Sequence, residues 1–190
     1  MMNGCARWSF LAVPLLAALG CSDPVPRPAQ GGLTLSVEKS NATCPVPGKT
    51  YEVCHSKGHG PTNAAAGDRL IDGESGASIK CSVKGNGPYS FSGTIHGLST
   101  ENDLVTVTIT NGVISADKTT GTGTVNVYTP TVMGFNSAEG TCTFTVVNQQ
   151  VKGGSLWATF SCPAITQAST SQVCAVGTSS AIVFENCDGS

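Results

Sequence analysis

The chain has 190 residues, of which 39% are hydrophobic and only 12% are charged, and its net charge is −2. It contains 23 Gly, 10 Pro and 9 Cys, a cysteine content well above that of ordinary intracellular domains. This length corresponds to one domain with a substantial hydrophobic core. The slightly acidic balance argues against a nucleic-acid partner, because neutralising phosphates requires a clustered basic surface.

Residues 1–20 have the layout of a secretory signal peptide. A short head carries a single charge, Arg7, and is followed by an apolar run at 8–19 and a small residue, Gly20. The run is too short to span a bilayer, and Pro14 inside it disfavours a stable helix. We therefore predict that residues 1–20 direct export and are then removed.

The end of this segment, Ala18-Leu19-Gly20-Cys21, resembles the lipobox of bacterial lipoprotein precursors. The resemblance implies that Cys21 is diacylated and becomes the first residue of the mature chain. Ala18 stands where the family usually has Leu, a tolerated substitution. The alternative is an ordinary signal peptide cleaved after Gly20, which would leave Cys21 free to form a disulfide.

Residues 21–32 are predicted to form the lipid anchor and a tether rich in Pro and Gly. Three prolines and two glycines between positions 22 and 32 disfavour regular structure and indicate a semi-extended segment. Ser22 follows the cysteine, and in enteric members of the family a residue other than Asp there favours the outer over the inner membrane. The expected location is thus the bacterial cell envelope. The membrane, contacted through lipid on Cys21, and other envelope proteins or glycans are the expected partners.

Residues 33–190 are predicted to form a single all-β domain. Thr and Ser alternate with β-branched or aromatic residues, a period of two that is typical of strands with one buried face. The best helical candidate, 62–66, is at most a turn. Short strands between glycine-rich turns indicate an antiparallel β-sandwich or small barrel of about 7–9 strands, stabilised by disulfides. The alternating segments are 33–37, 79–83, 89–95, 104–110, 123–127, 141–146, 156–162 and 181–184.

Two local patterns predict how neighbouring strands connect. Asn111-Gly112 follows one alternating run and precedes another, which predicts a two-residue hairpin turn. Residues 149–155 join the strands at 141–146 and 156–162, and a three-residue loop at 151–153 would place Cys142 opposite Cys162. A loop one residue later would instead place Phe144 opposite Cys162.

Seven cysteines remain in the domain once Cys5 leaves with the signal and Cys21 is acylated, and export should oxidise most of them. An odd number leaves a free thiol, a bond to another chain, or an unacylated Cys21. A Cys142–Cys162 bridge and a bridge from Cys81 to one of these two fit the alternation equally well. The spacing also allows local bridges. The disulfide candidates are Cys44, Cys54, Cys81, Cys142, Cys162, Cys174 and Cys187, with Cys44–Cys54 and Cys174–Cys187 as the local pairs.

Two small groups of residues are candidates for ligand binding. His55 and His59, next to Cys54, are of the residue types that bind zinc or copper, but they lie in a Gly/Ser-rich stretch where an exposed polar loop is the favoured interpretation. Trp157 and Tyr128 stand at positions opposite in parity to the apolar residues of their strands. We expect both aromatic rings to be exposed, as a platform for a sugar would require.

The sequence lacks the motifs of nucleophilic, metal-dependent or phosphate-binding catalysis, and no cofactor is implied. We therefore expect a lipid-anchored, non-catalytic structural or interaction module of the cell envelope. A glycan-binding module built on Trp157 and Tyr128 is the first alternative, and a metal binder at His55 and His59 is a less favoured one.

Overall fold

The computed structural model of the chain describes residues 25–39, 43–45, 48–130 and 133–188. Within these ranges nearly all regular structure is β, and the one short helix is a 3-10 turn at Glu74–Gly76. In this described part of the chain, no helix has the length and apolar character needed to cross a membrane. The strands are β1 (Gln30–Glu38), β2 (Lys49–Val53), β3 (Leu70–Ile71), β4 (Ser78–Lys84), β5 (Tyr89–Leu98), β6 (Leu104–Ile114), β7 (Thr120–Tyr128), β8 (Phe135–Asn136), β9 (Cys142–Lys152), β10 (Ser155–Gln167) and β11 (Gln172–Glu185).

The strands form one antiparallel, 11-stranded sheet that folds back on itself. Its order is β2-β1-β11-β10-β8-β7-β6-β5-β4, with β9 pairing with both β10 and β7, and β3 pairing with β1. The sheet curves far enough for the segment after β11 to reach β4, the strand at one end of this order: the backbone N–H of Asp188 donates to the carbonyl of Cys81 at 3.0 Å. The prediction of a sandwich- or barrel-like all-β fold is therefore confirmed.

One hydrophobic core lies between the facing parts of the sheet. Alternate residues of the strands point into it, and Thr and Ser occupy many of the outward positions. At its centre the ring of Phe144 contacts Phe91 edge-on at 5.0 Å between centroids and stacks on Phe160 at 5.6 Å. Gly93 leaves room for another core ring, since a Cβ there would lie 2.5 Å from Phe184.

Strand β1 begins at Gln30, so residues 30–32 belong to the sheet and not to the tether. Gly31 and Gly32 pair with Phe184 and Val183 of β11. A Cβ at Gly31 would lie 3.1 Å from Ile79 and Ile95 across the core, which is tighter than most side-chain contacts. The glycines that suggested a linker are therefore needed for close packing of strands.

The prediction of a hairpin turn at Asn111-Gly112 is wrong. Strand β6 continues through both residues to Ile114, and the register with β7 shifts between Thr110 and Val113. Asn111 adopts a left-handed conformation (φ 52°), as the extra residue of a β-bulge does. Gly112 lies against the ring of Phe91: a Cβ on residue 112 would lie only 2.4 Å from the Cε1 atom of that ring. Glycine is therefore required at this position by packing against the Phe91 ring, and not by a turn.

The connection between β9 and β10 also differs from the prediction. The turn is Gly153-Gly154, and the first residue pairs are Lys152 with Ser155 and Val151 with Leu156. Farther along, Ala158 pairs with Val146, so β9 contains three residues more than β10 over this interval. The resulting register places Phe144 opposite Phe160 and Cys142 opposite Cys162. The predicted pairing of these cysteines is confirmed, although a bulge and not a three-residue loop produces it.

Candidate functional site

Three disulfides join cysteines that are distant in sequence or on neighbouring strands. They are Cys44–Cys174, Cys81–Cys187 and Cys142–Cys162. The last confirms one of the two predicted alternatives and excludes a bridge from Cys81 to either of its members. The local pairs Cys44–Cys54 and Cys174–Cys187 are wrong. The reason is tertiary: Cys187 lies beside β4, and Cys174 in β11 lies beside the segment that contains Cys44.

Cys54 is the thiol left over from these pairs. It is buried, with 7% of its surface exposed, and its Sγ–H donates to the carbonyl of Ser56 at 3.1 Å. Burial raises the pKa of the Cys54 thiol above its ordinary value. The thiol is therefore held protonated at neutral pH, the form that neither attacks electrophiles nor binds metal.

The two histidines of the predicted metal site are each engaged with a carboxylate of their own. His55 Nε2 lies 2.8 Å from Glu74 Oε1, and His59 Nδ1 lies 3.5 Å from Asp68 Oδ2. Among the described residues no group of three or more His, Cys, Asp or Glu side chains is placed to hold a metal ion. The structure therefore does not bring His55, His59 and Cys54 together as a ligand set.

Trp157 points to the outer face of its strand, as its parity predicts, but the prediction that it is exposed is wrong. Only 5% of its surface is accessible, because it packs with Val147, Val183 and Ala66 in a second, smaller apolar cluster. Its indole N–H donates to the carbonyl of Thr62 at 3.1 Å. The loop that contains Thr62 and Ala66 thus covers the ring.

Tyr128, at the end of β7, is 44% exposed, as predicted. Because Trp157 is covered, the two rings do not make an exposed pair, and a flat platform of stacked aromatics is not present at these positions. A sugar site based on Trp157 would have to use the edge of the ring that borders the neighbouring cavity.

That cavity lies where β9 departs from β10, and we call it the bulge pocket. It has a volume of about 350 Å³, within the usual range of small-molecule sites. Trp157 and Val183 contribute apolar surface. The polar side chains that line it are Lys118, Gln149, Gln150, Lys152, Ser155 and Glu185.

The bulge in β9 is what opens this pocket. Residues 147–150 of β9 have no register partner on β10, although the strand pairs normally on either side of them. Asn148 and Gln149 both have left-handed backbones, with φ of 49° and 55°. Two consecutive non-glycine residues in this region are costly, and such strain is concentrated at functional sites. Val147 turns back onto Trp157, while Gln149 and Gln150 border the cavity.

The charged groups of the pocket are mostly positive and only partly neutralised. Glu185 is bound by Arg69, whose Nη2 lies 2.9 Å from Oε1. Lys118 Nζ lies 5.5 Å from the centroid of the Tyr89 ring. Neither Lys118 nor Lys152 forms an ion pair with a carboxylate in the described part of the chain. Two lysines without a carboxylate partner therefore line the pocket, beside amide and apolar residues.

Sequence reasoning did not identify this pocket. The only local signal is the polar run Asn148-Gln149-Gln150, which interrupts the alternation between Val147 and Val151. Its last two residues fall in the segment 149–155 that is predicted to connect the two strands. The predicted lipid attachment site, Cys21, and the predicted signal peptide, residues 1–20, lie outside the described residues. Comparison of the chain with protein-family models, with curated proteins and with solved structures finds no match.

Proposed function

We propose that this protein is an exported lipoprotein of a bacterial cell envelope, anchored through lipid on Cys21. The observation that carries the proposal is the motif Ala18-Leu19-Gly20-Cys21 at the end of a short apolar run. Ser22 after the cysteine favours the outer membrane.

Two features of the folded domain support this proposal. Six of its cysteines form disulfides, which persist in oxidising compartments such as the periplasm and the cell surface. Residues 25–28 are exposed and have no regular structure, so a short extended segment precedes β1 and would hold the domain away from a membrane.

At the envelope the domain acts as a non-catalytic interaction module. Its outer faces offer rows of hydroxyl groups, for example Thr94 and Thr108 on β5 and β6, whose oxygens lie 3.1 Å apart. The bulge pocket adds a concave site with charged and amide groups. These surfaces are suited to binding other envelope components.

The experiment that tests the anchor is an intact-mass measurement of the protein isolated from its membrane, before and after reduction. We expect a chain that begins at Cys21 and carries a diacylglyceryl group. Reduction should add the mass of six hydrogen atoms, two for each disulfide. A Cys21→Ser variant is the matched control and should keep its signal peptide and gain no lipid. An unlipidated chain from Cys21 with eight oxidised cysteines would refute the proposal.

A further inference from the structure

We propose that the bulge pocket binds an acidic sugar, with the carboxylate of a uronic acid held by Lys118 or Lys152. The inference deepens the proposed function by naming the ligand of the interaction module. It depends on that function only for the source of the sugar, since an envelope protein is exposed to polysaccharide and an intracellular one is not.

The shape of the pocket follows from a costly backbone conformation. A hairpin with the two-residue turn Gly153-Gly154 would pair every residue of β9 with β10 and leave no opening beside Trp157. The left-handed Asn148 and Gln149 break this pairing and place two amide side chains, Gln149 and Gln150, at the cavity. The bulge shifts the register by three residues, and this shift places Phe144 opposite Phe160 and Cys142 opposite Cys162. It also leaves residues 147–150 without partners on β10, so Gln149 and Gln150 can line the cavity.

The lining matches the chemistry of a pyranose ring. Sugar hydroxyls both donate and accept hydrogen bonds, as the amides of Gln149 and Gln150 and the hydroxyl of Ser155 do. The C–H groups of the ring need apolar contact, and the small accessible parts of Trp157 and Val183 border the cavity, although both side chains are otherwise buried. A volume of about 350 Å³ is sufficient for one sugar unit.

The charges select an acidic sugar over a neutral one. Arg69 already pairs with Glu185, which cancels the carboxylate at the pocket. Lys118 and Lys152 are left without a carboxylate partner among the described residues. An ammonium group forms a charge-assisted hydrogen bond with a carboxylate, and it gains less from the hydroxyl that replaces this carboxylate in a neutral hexose.

The test uses the full mature chain and three small probes. Methyl glucuronide carries both the sugar ring and the carboxylate, methyl glucoside carries only the ring, and acetate carries only the carboxylate. The chain has 2 Trp, at positions 8 and 157, so removal of the signal peptide leaves Trp157 as the sole source of indole fluorescence. Binding in the bulge pocket should therefore change the emission of Trp157.

We expect methyl glucuronide to bind more tightly than either methyl glucoside or acetate. Lys118→Gln or Lys152→Gln should weaken the binding of methyl glucuronide about fivefold, the upper range for a solvent-exposed ion pair, and leave methyl glucoside unaffected. Lys80→Gln, an equally conservative change on β4 away from the pocket, is the matched control and should change nothing. Thermal unfolding of each variant checks that it is folded.

Several results would overturn the proposal. Equal affinity for methyl glucuronide and methyl glucoside would show that the lysines do not bind the carboxylate. Equal affinity for methyl glucuronide and acetate would show that the ring is not recognised. No change in Trp157 emission, or the same loss in Lys80→Gln as in the two pocket variants, would exclude this site. None of these results bears on lipidation, which the mass measurement tests separately.

Discussion

Cys54 resolves the odd number of cysteines in the domain. Spacing allows a bridge to Cys44, ten residues earlier, but Cys44 is bonded to Cys174. The thiol of Cys54 is instead enclosed by the protein and donates to the carbonyl of Ser56. It behaves as a small buried side chain and need not bond to another chain.

The native Cys54 thiol should therefore react very slowly with iodoacetamide. Burial both blocks access and raises its pKa, so that little thiolate exists at neutral pH. Peptide mass mapping should show Cys54 unmodified in buffer and fully alkylated in denaturant without reductant. The disulfide-bonded cysteines are internal controls, since they should remain unmodified in both conditions. Rapid, complete alkylation of the folded protein would contradict the structure.

The turn between β6 and β7 shows how a short connecting element is stabilised by one carboxylate. Asp117 accepts hydrogen bonds from the hydroxyl of Ser115 and from both the backbone N–H (3.2 Å) and the hydroxyl (2.9 Å) of Thr119. These donors, Ser115 first, lower the pKa of Asp117. The adjacent Lys118 has φ of 59°, so the turn depends on local hydrogen bonds to hold a disfavoured backbone.

This turn should lose stability in acid. The folded pKa of Asp117 is below its unfolded value of about 3.9, so its contribution is complete above that pH and is lost as the pH falls through the folded pKa. Asp117→Asn should lower the melting temperature near neutral pH, and the difference from the parent should shrink below about pH 4. Ser115→Ala keeps the carboxylate but loses its main donor, and should have a smaller pH-dependent effect. A difference that stays constant with pH would contradict this assignment.

Across the whole molecule the disulfides constrain chain segments of very different length. Cys142 and Cys162 are separated by 20 residues on adjacent strands, whereas Cys81 and Cys187 are separated by 106. The second bridge ties the segment just after β11 to β4, which lies at one end of the strand order. It restricts the unfolded chain far more than the first.

Removing Cys81–Cys187 should therefore cost more stability than removing Cys142–Cys162. The chain-entropy model gives about 5 kcal/mol for the longer loop and about 3 kcal/mol for the shorter one. Replacing both members of each pair by Ala removes the same atoms in the two variants, and urea unfolding measures the free energies. A larger loss for Cys142→Ala/Cys162→Ala would show that native packing, not loop closure, dominates.

The long strands of the fold were predictable because each has one face in the core. Alternation locates the eight longest strands, and its parity correctly orients Trp157, Cys142 and Phe144. Strands β3 and β8 have only two residues each and are too short to show a period. Strand β2 does alternate, but it has only five residues and directly follows a segment rich in Pro and Gly, so the sequence does not show where it begins.

The bulge pocket was not predictable, because its existence depends on four residues of β9 that leave the sheet. Period-two alternation describes paired strands, and it gives no information about where pairing stops. The polar run at 148–150 is equally typical of a loop, and the sequence predicts a connection over 149–155. Only the register on both sides of the bulge shows that the strand continues to Lys152.

The amino-acid sequence by itself determined the all-β class, the direction in which side chains point within the regularly alternating strand segments, and the resemblance of its N-terminus to a lipoprotein signal. These properties are local, since each depends on residues a few positions apart. The tertiary structure decided which cysteines pair, that a distant loop covers Trp157 and that β9 and β10 separate to form a pocket. Those outcomes depend on contacts between segments up to 130 residues apart, as for Cys44 and Cys174, and no local pattern specifies such contacts.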